Sequence, residues 1–132
     1  VRGASSLPPE VLLTQPVRQQ GAAVEASLGN VERAVALHQK ALALQPRNPE
    51  TLDVAGWTAW NAGLRAQGKD QVSQSLRQQP SASAHLHMAQ MLAAEAALDQ
   101  ARDHLLQADN LAQSELVRAQ IEEVRKSLDG GG

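Results

Sequence analysis

The chain has 132 residues and a formal net charge of −2, with 42% hydrophobic residues but no Phe, Tyr or Cys. One domain with a modest core is what this length supports; the slightly acidic balance excludes the basic stripe that nucleic acid requires, and no apolar run reaches the roughly 18 residues of a membrane span, so direct membrane insertion is excluded too. The lack of cysteine removes any disulfide framework or thiolate metal site, which suits the cytoplasm and the periplasm or cell envelope alike; the chain begins at Val1 rather than Met and is read as an excised segment, so the compartment stays open.

With the large aromatics nearly absent, Ala, Leu and Val must fill the interior, and together with Gln, Arg and Glu they are good helix formers. Runs of β-branched and aromatic residues that would mark strands are missing. The expectation is all-α. Residues 1–15 form an N-terminal extension, where Pro8 and Pro9 can start a short turn carrying Val11, Leu12 and Leu13 over the open end of the first helical unit. Pro16 then restarts the chain at a first-turn helix position, where its missing N–H is harmless. Two landmarks share one interval: Pro46 and Pro80 lie 34 residues apart, and so do Gly29 and Gly63. A self-similarity of this length marks repeated helix–turn–helix units. The units span 16–47, 48–81 and 82–112.

In the first unit Gly29 is read as the turn. In the second, Leu52, Ala55, Gly56 and Ala59 make a packed stripe of small residues, and Gly63 makes the turn. Leu64, Gly68, Val72 and Leu76 continue as an i, i+4 stripe, and Gly68, in a helix interior, is expected to weaken that helix by roughly 0.5–1 kcal/mol relative to Ala. In the third, Met88, Ala89 and Leu92 face inward from the first helix and Ala101, Leu105 and Ala108 from the second. Ala96 stands where a turn glycine is expected. A helix over 113–128 starts with Ser114 as cap and carries the apolar stripe Val117, Ile121, Val124 and Leu128. Arg118–Glu122 and Glu122–Lys126 are expected to pair on its wet side. Residues 129–132 are read as a flexible tail.

The stretch GNVERAVALHQKALALQP, Gly29 to Pro46, resembles the second half of a tetratricopeptide (TPR) repeat: Gly29, Ala34, His38, Ala41 and Pro46 stand at the motif's turn, small, aromatic, small and closing positions. LDVAGWTAWNAG resembles its first half. The resemblance covers about Pro16 to Ala108. Leu52-Asp53 with Gly56-Trp57, and His87-Met88-Ala89 with Ala101, are further similar to the closing repeats of bacterial cell-envelope TPR proteins, some of which serve exopolysaccharide export. The resemblance implies a right-handed α-solenoid of about three TPR-like repeats plus a C-terminal capping helix, the helix that ends such an array by covering its last apolar face.

It also implies where partners lie: in a concave groove lined by the first helix of each unit. The groove positions are Gln19 and Ala23 from the first unit, Glu50, Asp53, Trp57, Trp60 and Asn61 from the second, and Leu86 and Gln90 from the third. Core and groove are both open to Trp57, whereas Trp60 is read as the exposed contact, a residue type that often dominates binding energy. Acid beside tryptophan suits a peptide or protein with an apolar anchor and a basic flank. The function expected is non-catalytic protein–protein interaction as a binding module or scaffold. Self-association into a homodimer is the rival reading. A metal-binding or enzymatic role is the third, and the residues supply no constellation for it. His85 and His87 at i, i+2 point to different faces of a helix, no serine sits in a nucleophile elbow, and no glycine-rich phosphate loop is present. No cofactor is implied.

Overall fold

The computed structural model describes the backbone of residues 15–131 and the side chains of residues 29–130, so the 1–15 extension falls outside the described residues except for Gln15. Among the described residues the chain is all-helical: α1 (Gln15–Leu44), α2 (Pro49–Asn61), α3 (Arg65–Gln78), α4 (Ala82–Ala94), α5 (Leu98–Leu111) and α6 (Glu115–Gly131). No helix described is long and apolar enough to cross a membrane. The chain divides into two compact units, Val1–Leu37 and His38–Gly132. In the first, the described backbone belongs to α1. The second holds the end of α1 and the other five helices.

The expected turn at Gly29 does not form; α1 runs through it as one helix of 30 residues. Gly29 does not adopt positive φ, and a Cβ there would meet only the Arg33 guanidinium, at 3.7 Å. A lone glycine costs a helix at most about 1 kcal/mol, which the surrounding Ala, Val, Leu, Glu and Arg offset. Residues 16–47 are therefore not a helix–turn–helix unit.

The second unit is regular. α2 is capped by Asn48, whose side chain accepts from the Thr51 N–H at 2.9 Å. α4 is capped by Ser81, which accepts from the Ala84 N–H at 3.1 Å, and α6 by Ser114, which accepts from the Val117 N–H at 3.2 Å. Each cap satisfies a donor that the first helical turn leaves unpaired, and the three lie at intervals of 33 residues. α3 and α5 have no side-chain cap; they emerge from tight turns in which Gly63 takes φ +94° and Ala96 φ +63°. In both turns an N–H reaches back five residues, Leu64 to the Ala59 carbonyl and Ala97 to the Leu92 carbonyl, each at 2.9 Å. This closes the helix with the bonding of a Schellman motif. Ala96 does so without the freedom of glycine.

Hairpin α2–α3 is held by a close backbone approach. A Cβ on Gly68 would lie 2.5 Å from the Gly56 carbonyl oxygen and 2.6 Å from the Trp60 nitrogen. A Cβ on Gly56 would lie 2.8 Å from the Gly68 carbonyl oxygen and 2.9 Å from the Val72 nitrogen. Gly68 is thus a packing residue: its missing side chain is what lets α3 touch α2. The core continues through Trp60, Val72, Met88, Met91, Leu92 and Leu105, with Ala84, Ala89, Ala101 and Ala108 fully buried between them.

α6 lies against α4 and α5. Ile121 and Leu128 of its stripe are buried, and Val117 and Val124 are half-buried against the same core. The expected i, i+4 pairs give way to other partners. Glu122 pairs with Arg125, and Arg118 Nη2 donates to the Ala112 carbonyl at 3.2 Å. α6 also runs on to Gly131, into the residues assigned to a flexible tail, with Leu128 buried in its last turns and Asp129 within 3.5 Å of Arg102.

Gly68→Ala should lower stability by about 3 kcal/mol, since the added carbon overlaps backbone that cannot rotate away. Ala96→Gly should raise it by about 0.5–1 kcal/mol by relieving a left-handed alanine. Urea unfolding followed by circular dichroism measures both.

Candidate functional site

α2 and α4, the first helices of the two hairpins, lie side by side. Between them Asp53 is 4% exposed and accepts two hydrogen bonds from α4: Ser83 Oγ donates to Oδ2 at 2.6 Å, and His87 Nδ1 lies 2.7 Å from Oδ1. A carboxylate only accepts, so the proton of this neutral-tautomer or charged imidazole sits on Nδ1. The other face of His87 is fixed by Trp57, whose ring stacks on it at 4.3 Å with 12° between the planes. Ser83, Asp53, His87 and Trp57 form one continuous junction between α2 and α4. Ser83 gives its hydrogen to Asp53 and not to His87, so the three polar residues make a clamp and not a nucleophile–base pair.

Beside this clamp a cleft of about 280 Å³ opens between the starts of α2 and α4. Glu50, Asp53 and Val54 line it from α2, Ser81 and Ser83 from the start of α4, and Gln79 from the connection between α3 and α4. Glu50, Val54 and Ser83 are exposed. The cleft therefore combines one carboxylate at its mouth, a second carboxylate in its wall, two hydroxyls and an apolar isopropyl group.

The residues expected to form the groove part company here. Glu50 and Asp53 meet in the cleft, but Asp53 is a buried clamp and not an open acid. Trp57 is half-buried on His87. Trp60, expected to be the exposed contact, is 7% exposed and belongs to the core. Its Cβ sits against Gly68, which leaves the space for it, and the Arg65 guanidinium covers its ring at 4.8 Å. Asn61 is exposed and its side-chain amide donates to the Trp57 carbonyl at 3.0 Å. Leu86 is buried in the core. Gln90 is half-buried and lines a different shallow cleft of about 340 Å³, with Ala93 of α4 and Glu123 and Ser127 of α6. The side chains of Gln19 and Ala23 lie outside the described residues.

Val54, Ser83 and His87 are absent from the expected groove. For His87 the spacing gives no direct signal: the helix caps and turns repeat every 33 residues, which matches Asp53 of α2 to Leu86 of α4, and His87 stands one residue beyond that place. Two other half-buried histidines, His85 and His104, meet elsewhere, between α4 and α5. Neither a comparison with protein-family models nor a search among curated proteins returns a match for this sequence.

Asp53→Ala should cost about 2–3 kcal/mol, because it leaves the Ser83 hydroxyl and the His87 N–H without their acceptor in a largely buried setting. Trp60→Ala should cost about 3–5 kcal/mol as a core truncation. Glu50→Ala, at an exposed position, should stay within about 0.5 kcal/mol of the parent. Thermal and urea unfolding of the three variants order them.

Proposed function

We propose that this chain is a non-catalytic protein–protein interaction module, a TPR-like right-handed α-solenoid that docks a peptide segment across the first helices of its hairpins. The observation that carries this reading is the cleft between α2 and α4, with Glu50 and Val54 presented together on an exposed strip beside a rigid clamp. Rigid helices that hold a shaped cleft bind at low reorganisation cost. The repeated caps at Asn48, Ser81 and Ser114 and the likeness of Leu52–Gly63 to a TPR half-repeat, with its turn at Gly63, support the same architecture. The chemistry of the cleft selects an extended segment with a small apolar anchor for Val54 and a Lys or Arg for Glu50, with backbone amides bonding the hydroxyls of Ser81 and Ser83. Trp57 braces the clamp beside the cleft by stacking on His87.

Selection from a random peptide display library tests this. Enriched sequences should pair an apolar residue with a basic one, and their affinity should fall at least tenfold on Glu50→Lys or Val54→Asp, with helicity unchanged. No enrichment, or binding indifferent to both substitutions, would overturn the reading.

Self-association has a separate observation in its favour. Leu111 and Leu116, 39% and 70% exposed, stand at the α5–α6 turn beside a depression of about 390 Å³ that Leu111, Val117 and Pro80 line. On this reading the mass in sedimentation equilibrium rises from monomer to dimer with concentration, and Leu116→Glu restores the monomer; a monomer at all concentrations rules it out.

A further inference from the structure

α4 and α5 each bring one imidazole to their junction. Nδ1 of His85 and Nδ1 of His104 lie 2.9 Å apart, with ring centroids 5.1 Å apart and planes 37° from parallel. The centroid gap is nearly the nitrogen gap plus one ring radius on each side, so the two nitrogens point almost end-on. Two lone pairs or two N–H groups in that position repel, so one ring must carry its proton on Nδ1 and the other must accept. A metal ion held by both rings would need their lone pairs to converge on a point off that line, and no group of three or more His, Cys, Asp or Glu able to hold one occurs among the described residues. The contact is an N–H···N hydrogen bond.

We propose that the His85–His104 hydrogen bond is an acid-sensitive latch, which ties α4 to α5 at neutral pH and releases on acidification. Its operation rests on proton count. With both rings neutral the bond forms; with both protonated, two N–H groups and two positive charges face each other and the rings must part. Burial lowers the pKa of each ring, and for His85 the charge of His104 lowers it further. Asp103, next to His104 on α5, acts in the opposite sense and is the lesser influence on that ring. Three charged groups on the surrounding helices are engaged elsewhere. Asp53 of α2 is bound by His87 and Ser83, Lys69 of α3 by Glu95, and Asp129 of α6 by Arg102.

Folded pKa values below the unfolded value of about 6.5 mean that the unfolded chain takes up protons first as pH falls. The latch therefore contributes fully above about pH 6.5, and its contribution is lost as pH drops from there through the lowered folded values. Ala84, Ala89, Ala101 and Ala108 are among the buried residues of these two helices. Met91, Leu92 and Leu105 are buried beside them, so the hydrogen bond adds its pH dependence to a junction that apolar packing also holds.

Thermal unfolding between pH 7.5 and 5.0 tests the latch in the parent, in the double variant His85→Gln/His104→Asn, and in His38→Gln as a control for histidine titration elsewhere. The parent and the control should lose about 4 °C more over this range than the double variant. Nitrogen-15 spectra of the parent's imidazoles at pH 7.5 should show one of the two rings in the Nδ1–H tautomer and the other in the Nε2–H tautomer. Equal pH slopes in parent and double variant would overturn the proposal, and so would finding both rings as Nε2–H. The spectra need only the parent protein, so the proposal stays testable if the double variant does not fold.

Discussion

Two glycines with no side chains to separate them set the geometry of the α2–α3 hairpin. Gly56 and Gly68 bring α2 and α3 together until each backbone lies where the other residue's Cβ would stand. Everything around that point depends on the approach. Val72 packs one turn on from Gly68, Trp60 lies across the gap that Gly68 leaves, and Ser75 reaches the Pro49 carbonyl at 2.6 Å. A core rich in alanine gains little from each alanine it buries. It therefore depends on short distances, because dispersion falls steeply with separation.

The same economy explains the polar junction between α2 and α4. In a chain without Phe or Tyr, two neighbouring first helices cannot be joined by large apolar side chains along their whole length. Asp53 replaces such a contact with two directed bonds, and Trp57 covers the imidazole that makes one of them. A buried carboxylate is costly unless its lone pairs are satisfied. Here Ser83 and His87 satisfy one oxygen each, so the junction gains a fixed register between hairpins. Gln39 and Gln71 make a comparable exchange of amide hydrogen bonds, at 3.1 and 3.3 Å, between the end of α1 and α3.

Much of this is legible in the sequence, and the failures have physical causes. Ser114 announces a helix start by its own chemistry, and the Val117–Leu128 stripe fits the face that α6 buries. The all-helical class rests on the same local signals. Gly29 misleads because a glycine in a turn and a glycine inside a helix are the same residue. What distinguishes Gly63 is its positive φ and the five-residue return bond from Leu64, neither of which is a property of the glycine alone. Gly68 reads as a local cost because its benefit lies on another helix. That benefit also governs Trp60: the slot that takes it inward exists only once α3 is in place. Asp53 lies on the α2 face toward α4, but its role depends on His87, which stands one residue out of step with the 33-residue interval of the helix caps, so the pairing shows only once the hairpins are packed. Glu50 needs no partner, so its exposure is legible from its own position.

The Trp57–His87 stack has a consequence for how this protein can be observed. With two indoles and no tyrosine, its near-ultraviolet signal has only two sources, and they sit in unlike settings: Trp60 enclosed in the core and Trp57 laid against an imidazole. An imidazolium quenches indole emission more strongly than a neutral ring, and separation of the rings removes the contact altogether. The junction between α2 and α4 thus carries its own optical probe. Motion of one hairpin against the other would change the lifetime of a single tryptophan, without a label and without disturbing the clamp beneath it.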